Sequence, residues 1–328
     1  MVHELTATLA KLSKQRVLIV GDVMLDEYIW GDVTRISPEA PVPIVNVRSR
    51  SYRPGGASNV AASIAALNAE VLLGGVIGDD LAAQQLKLVL EQAGVGESNG
   101  LIKAQRPTTL KTRIIAHNQQ MLRYDSEVNT ALDSVSETAL CTWVDQQIAN
   151  CQVCILSDYA KGVLTERVCQ HVIQQARRYN IPVVVDPKGI NYQRYAQASV
   201  ITPNLQETQV VTGLSLHSLE QLQLAADHLL ELLQGTAVII TRSADGMALY
   251  RNQHAPVFLP THARNVYDVT GAGDTVVAIL ALALASGSSL EQAMQLANIA
   301  AGIVVGKVGT ATVDLAELSQ AITSLYSV

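Results

Sequence analysis

The chain has 328 residues, 48% of them hydrophobic and only one of them Phe, so a large core must be built from Ala, Val, Leu and Ile. A net charge of −6 argues against a general nucleic-acid or membrane-surface binder, but local basic groups could still hold a phosphorylated small molecule. Four Cys make no disulfide framework, and the seven His show no metal-ligand spacing. The longest apolar runs, Val276–Ala285 and Ile299–Val305, are too short to span a bilayer, and Met1–Lys14 carries no signal-peptide pattern. The expectation is a cytoplasmic protein folded as one α/β domain over 1–328.

Taken in chain order, Arg16–Gly21 is a short apolar run ending at glycine, the pattern of a buried parallel strand. Similar runs recur at Val71–Ile77, Val153–Leu156, Val183–Asp186, Val200–Thr202 and Ala237–Thr241. Helical patterns lie between most of them, at Ala57–Leu67, Leu81–Ala93, Leu164–Tyr179 and Leu219–Leu233, with a further helix at Leu290–Val305. The alternation predicts a doubly wound, mostly parallel sheet flanked by helices. Cys151 and Cys154 fall on an apolar strand pattern with side chains on opposite faces, so they read as ordinary reduced cysteines. Two segments, 41–52 and 108–125, are rich in β-branched residues and alternate with polar ones; the second turns near His117–Gln119. They predict a small accessory sheet, a β lid over the crevice, although an extension of the main sheet's edge fits the same alternation.

The chemistry concentrates in Asp268-Val-Thr-Gly-Ala-Gly-Asp274, which runs straight into an apolar helix. At a helix start the N–H groups of Gly271, Ala272 and Gly273 lack intrahelical partners, so they are available to an anion. The adjacent carboxylate of Asp274 completes what phosphoryl transfer to an alcohol requires, an anion pocket beside a base. The plain alternative is a glycine turn capping a core helix, with Asp274 a first-turn charge. Gly55 and Gly56 likewise permit close approach of a polyhydroxy ligand, and Asn59 offers it both donor and acceptor. Asp22, Asp158, Asp186 and Asn204 each follow or end a strand-like run, which together suggests one crevice beyond the strands' carboxyl ends.

With these residues in view, the chain resembles the ribokinase or PfkB family of carbohydrate kinases along nearly its whole length. Gly55-Gly56 with Asn59 is similar to the early family motif and Asp268–Asp274 to the late one. Within the family it most resembles the bacterial heptose 7-phosphate kinases of lipopolysaccharide synthesis. That narrower likeness rests on Gly21–Asp26, Arg35–Pro43, Arg53–Ala57, Ser157–Gly162, Asp186–Lys188, Thr202–Asn204 and Val266–Thr275, with Asn118–Gln120 and Arg123. Many relatives in that branch carry a following nucleotidyltransferase domain with a His-x-Gly-His signature, which this sequence lacks.

The resemblance implies roles for particular residues. Asp274 would be the general base toward the attacking sugar hydroxyl, with the amides of Gly271, Ala272 and Gly273 stabilising charge on the transferring group. Asn204 and Glu207 would help hold Mg2+ through water. Thr241–Gly246 would lie against ATP, and Asn298 would flank its adenine. On the sugar side Asp22 would accept hydrogen bonds from hydroxyls, and Gly55, Gly56 and Asn59 would line the same pocket. Arg53, Lys111, Arg113, Arg123 and Lys161 are candidates for the substrate's far phosphate, Arg113 and Arg123 foremost because the lid would carry them; Lys161 and Lys188 could face the ATP phosphates instead. The implied reaction is transfer from ATP to the C1 hydroxyl of D-glycero-β-D-manno-heptose 7-phosphate. Rivals are another sugar kinase of the family (fructose, ribose or 2-keto-3-deoxygluconate type) and a non-catalytic sugar- or nucleotide-binding regulator. A dinucleotide oxidoreductase is disfavoured because Val20–Met24 lacks the Gly-x-Gly-x-x-Gly turn, and there is no P-loop signature. By the same likeness a homodimer pairing through the accessory sheet is expected, as is a monovalent cation near the loop after Asp268.

Overall fold

A computed structural model describes residues 2–96, 100–262, 267–307 and 311–326; Val266, which opens the last of the family-like strings, lies outside them. In chain order the elements are α1 (Val2–Leu12), β1 (Arg16–Gly21), β2 (Val23–Ile36), β3 (Pro43–Gly56), α2 (Ala57–Ala65), β4 (Glu70–Ile77) and α3 (Leu81–Gln92). There follow β5 (Leu101–Lys103), β6 (Thr109–Ala116), β7 (Gln119–Ser126), α4 (Ser134–Gln147), β8 (Val153–Ser157), α5 (Glu166–Arg178) and β9 (Val183–Asp186). The remainder comprises β10 (Val200–Ile201), α6 (Leu205–Thr212), α7 (Leu219–Leu232), β11 (Ala237–Thr241), β12 (Met247–Tyr250), β13 (Val257–Leu259), α8 (Ala272–Ala285), α9 (Leu290–Val304) and α10 (Leu315–Tyr326).

The main sheet runs β13-β12-β11-β10-β9-β8-β1-β4-β5, parallel throughout except for the pairings of β12 and β13 at one edge. Its two faces are visible in β1 alone: Val17 and Ile19 join one apolar cluster, Leu18 and Val20 the other. A strand covered on both faces has no wet side, which is why it reads as an unbroken apolar run. The first cluster also takes in α1, α2, α3, α8 and α9; the second takes in α4, α5 and α7. α1 belongs to the core through Leu5, Leu9 and Leu12, each at helical spacing and buried.

The lid is a separate four-stranded sheet, β3-β2-β6-β7, and not an extension of the main one. Its turn at His117 and Asn118 uses positive φ angles of 50° and 60°. The expected segments 41–52 and 108–125 supply β3, β6 and β7, but its central strand β2 was not anticipated. Only Asp22 separates β2 from β1, so its buried first half looks like a continuation of the same run. The chain nonetheless leaves the main sheet at Asp22 and pairs with β3 along nearly the whole length of both strands.

Gly56 makes the return from lid to body possible. It caps α2 at φ 55° and ψ −135°, and a Cβ there would lie 2.5 Å from the Asp22 carbonyl and 2.6 Å from the Met24 side chain. Gly56→Ala is expected to destabilise the fold by about 3 kcal/mol, read as a lower urea midpoint; an unchanged midpoint would refute this conformational role.

Candidate active site

The parallel strands end in polar residues along one edge, and the N-terminus of α8 comes down opposite them. Between them lies a cavity of about 190 Å³ whose walls include Asp158, Asp186, Asn204 and Thr241 from the sheet edge and Gly271, Gly273 and Asp274 from α8. This is the crevice expected where parallel strands terminate. Asp22 is the exception among the strand-end groups. Its carboxylate is 1% exposed and accepts the backbone amides of Tyr159, Lys161 and Val163 at 2.8, 3.0 and 3.1 Å. Instead of facing a sugar hydroxyl, it clamps the loop after β8.

Asp274 sits in the first turn of α8, buried at 7% exposure. Its two oxygens are held by two donors: the Asn59 amide on Oδ2 and the Tyr159 hydroxyl on Oδ1. Burial pushes the carboxyl up to about 6, the bonds from Asn59 and Tyr159 oppose that rise, and the charge of Asp26 adds to it. Asn59 therefore orients the Asp274 carboxylate, and Tyr159 is a partner that sequence reasoning missed. The only available signal was its place in the string Ser157–Gly162, since distance to Asp274 is a product of folding.

The helix start is prepared for an anion, with one correction. Gly271 caps α8 in the left-handed region at φ 80°, and a Cβ on Gly273 would meet open space within 4 Å. The amide of Ala272, expected to be available, instead donates to the Val269 carbonyl at 3.2 Å. Among the described residues, the amides of Gly271 and Gly273 have no such acceptor. Across the cavity, Asn204 and Glu207 form a reciprocal capping box at the start of α6, and Lys188 pairs with Glu207 at 2.6 Å. Burial and the neighbouring charges of Asp274 and Glu207 hold the Asp186 carboxyl well above the ordinary carboxylate range. A concentration of carboxylates around a polar cavity, answered by one lysine, suits a divalent cation bound to phosphates. No group of three His, Cys, Asp or Glu side chains among the described residues could cage a metal by itself.

Two expected nucleotide contacts lie elsewhere. Gly246 turns the chain between β11 and β12 at φ 79°, against the Leu259 carbonyl, and does not line the cavity. Asn298 is buried in α9 and donates to the Pro260 carbonyl at 2.7 Å, anchoring the loop after β13.

The lid brings its charges to the same cleft. Pairing of β2 with β6 puts Asp26 beside Lys111 and Tyr28 beside Arg113; pairing of β6 with β7 sets Arg113 opposite Arg123. Arg113 donates to Asp26 at 2.6 Å, and Arg53 and Arg113 lie 5.5 and 5.3 Å from the centre of the Tyr28 ring. Lys111 and Lys161 share Glu127 at 3.0 and 2.7 Å, so Lys161 is already neutralised, while Arg123 meets Asp125 at 3.1 Å. Asp26 went unassigned in the sequence reading, yet it is buried, and its charge reaches Asp274. The available signal was a carboxylate in the mostly apolar first half of β2, shared there with the adjacent buried Glu27. All four cysteines are free and buried, and burial raises each thiol.

Comparison with known proteins follows this geometry. Residues 14–317 match the model of the pfkB family of carbohydrate kinases. The bifunctional protein HldE of Stutzerimonas stutzeri is 47% identical over 317 residues, covering 96% of this chain and 65% of its own length. The protein of the same name from Syntrophotalea carbinolica is 44% identical over 313 residues, covering 95% of this chain and 64% of its own. The chain thus spans less than two thirds of these relatives. Among solved structures, Arabidopsis thaliana ribokinase complexed with ribose and ATP superposes with a TM-score of 0.74 at 19% identity, covering 94% of this chain and 98% of that one. Escherichia coli phosphofructokinase-2 in complex with potassium superposes with a TM-score of 0.75 at 19% identity, covering 95% and 99%. These two likenesses concern the fold, which is the ribokinase-like α/β fold. A carboxylate buried at a glycine-led helix start, a polar cleft at the strand ends and a family match across almost all of the chain agree, and the chain belongs to the pfkB family of carbohydrate kinases.

Proposed function

We propose that the chain phosphorylates D-glycero-β-D-manno-heptose 7-phosphate at its C1 hydroxyl, with ATP as donor, giving the 1,7-bisphosphate on the route to ADP-heptose and the lipopolysaccharide core. The observation that carries this reading is the charge of the lid's inner face. Arg53, Lys111, Arg113 and Arg123 stand on β3, β6 and β7 around Asp26 and Tyr28, and Lys161 of the loop after β8 joins them through Glu127. A phosphate monoester carries about two negative charges at neutral pH and suits such a concentration of cations, which a neutral sugar does not need. Arg113 and Arg53, stacked against Tyr28, are the best placed to take the phosphate. The likeness to the HldE proteins supports the same branch.

In this reading Asp26 and Asn59 face the sugar hydroxyls while Gly55 and Gly56 let the sugar come close. Asp274 accepts the proton of the attacking hydroxyl; at about 6 its carboxyl is matched better to that task than an ordinary Asp. The amides of Gly271 and Gly273 face the oxygens of the transferring group. Lys188 and Thr241 line the nucleotide side, and Asn204, Glu207 and Asp186 would hold Mg2+ through water, where it neutralises phosphate charge. Positioning and electrostatics carry most of the rate in such a transfer. A monovalent cation beside the loop after Asp268 belongs to the proposal, with activity in KCl against a tetraalkylammonium salt as its measure.

The lid's other residues support a homodimer. Ile36, Val42, Val47, Leu122 and Tyr124 are all exposed, more apolar surface than a small sheet usually leaves to water. A cytoplasmic site of action is part of the same proposal.

A coupled ADP-release assay with ATP and Mg2+ tests the substrate, using the heptose phosphate, fructose 6-phosphate, ribose, fructose and 2-keto-3-deoxygluconate. Turnover confined to the heptose phosphate is expected; preference for a neutral sugar would discard the phosphate subsite, and no turnover at all would favour a binding regulator. Arg113→Met should raise KM for the sugar phosphate by about tenfold or more, the loss of one charged contact, with KM for ATP unchanged. Asp274→Asn should nearly abolish turnover. It should also stabilise the fold at pH 8 by up to about 3 kcal/mol, because a carboxyl raised from 3.8 to about 6 destabilises the folded state wherever it is ionised. That gain shrinks as pH falls through 6 toward 4, since the wild-type carboxyl then takes up its proton in the folded state. For the wild type, kcat/KM should fall below pH about 6 as Asp274 is protonated; a flat profile down to pH 5 would remove Asp274 as the base.

A further inference from the structure

Behind the cleft lies a buried ion pair that the transfer reaction as described does not use. Arg194 comes from a 3-10 turn at Tyr192–Tyr195, between β9 and β10. Its Nη2 donates to Asp158 Oδ2 at 2.8 Å and to the Lys188 carbonyl at 2.9 Å, and its Nη1 donates to the Leu164 carbonyl at 2.9 Å. The guanidinium lies 4.9 Å from the centre of the Tyr195 ring, whose hydroxyl donates to the same Asp158 oxygen at 2.6 Å. The Asp158 side chain is 2% exposed and that of Arg194 18%.

As a device for stability this pair is poor. Burial raises the Asp158 carboxyl, with Asp22 adding to the rise and Arg194 only partly opposing it. The Arg194 Nε is buried without a partner. Apolar groups of the same size commonly serve stability as well or better. What the pair does have is geometry: one planar fork joins two loops that carry opposite halves of the site.

The first loop runs from Asp158 to Leu164. Its amides wrap the Asp22 carboxylate, Ala160 is held at φ 56°, and the Ala160 amide donates back to Asp158 Oδ1 at 2.7 Å. Tyr159, the phenol on the Asp274 carboxylate, belongs to this loop. The second loop follows β9 and carries Lys188, which reaches Glu207 across the cavity.

We propose that Arg194 is a positioning residue: it keeps the loop that orients Asp274 through Tyr159 in register with the loop that presents Lys188 to the nucleotide. This rests on the kinase reading above. Lysine at this position keeps the charge beside Asp158 but cannot reach three acceptors in one plane. Arg194→Lys should therefore fold with a thermal midpoint near that of the wild type, yet lose about 10- to 100-fold in kcat at saturating substrates. Arg194→Met should show the same loss together with a lower midpoint. MgATP affinity, measured by calorimetry without any sugar, should be weaker in both. A role confined to stability would make lysine a full rescue, so wild-type kcat and wild-type MgATP affinity in Arg194→Lys would overturn the proposal. Wild-type turnover in the same assay judges the kinase reading separately. Were the wild type to turn over no sugar, unchanged MgATP binding in Arg194→Lys would still refute the role assigned to Arg194.

Discussion

A carboxylate taken out of water must be held by donors or take up a proton, and much of the architecture around Asp274 answers that constraint. Asn59 comes from α2, which begins where the lid returns to the body at Gly56. Tyr159 comes from the loop after β8, which the carboxylate of Asp22 fixes at the end of β1. The helix that carries Asp274 is apolar on every side after its first turn and has no freedom to move away from the core. Three distant parts of the chain thus converge on two oxygen atoms. The outcome is a carboxyl raised to about 6 by burial, set beside a helix terminus that favours negative charge.

The lid contributes charge where the body contributes shape. Strand pairing sets the cationic side chains of β3, β6 and β7 around Asp26 and Tyr28, and no residue of the lid needs to come from the main sheet. Most of these cations already have partners. Lys161, attractive as a phosphate ligand when considered alone, is neutralised by Glu127, and Lys111 shares that carboxylate. Arg113, which also pairs with Asp26, and Arg53 each lie over the Tyr28 ring, which helps to fix the direction of both guanidinium groups. Arginine's planar fork also suits a phosphate better than a lysine ammonium would.

The carboxylates of the strand-end cavity follow a different logic. Asp186, Glu207 and Asp274 face one cavity, and burial, with the charges of Asp274 and Glu207 adding to it, raises Asp186. Such crowding is unfavourable by itself and is relieved by positive charge, of which Lys188 provides one part. Asp158, itself part of the cavity wall, pairs with Arg194 behind it, which is attached to both flanking loops.

How much of this was legible in the residues depends on whether a local rule governed them. Buried parallel strands announce themselves because both of their faces are apolar, and the start of α8 does so because glycines before an apolar helix have few other uses. The sequence by itself therefore determined the doubly wound fold and the family, and it pointed to the start of α8 and the strand-end crevice. It misjudged β2, since a strand that changes sheets after one polar residue keeps the same hydrophobic pattern as one that does not. It misassigned Asp22 and left Asp26 unassigned, because two carboxylates four residues apart differ only in which sheet their backbone has joined. Which carboxylate each cation meets, and that Tyr159 and Asn59 meet on one carboxylate, are decided mostly by contacts between distant residues, from Lys111 with Asp125, 14 positions apart, to Asn59 with Asp274, 215 apart. Hydrogen bonds and ion pairs act over a few ångströms of space without regard to separation along the chain, so only the tertiary structure could determine them.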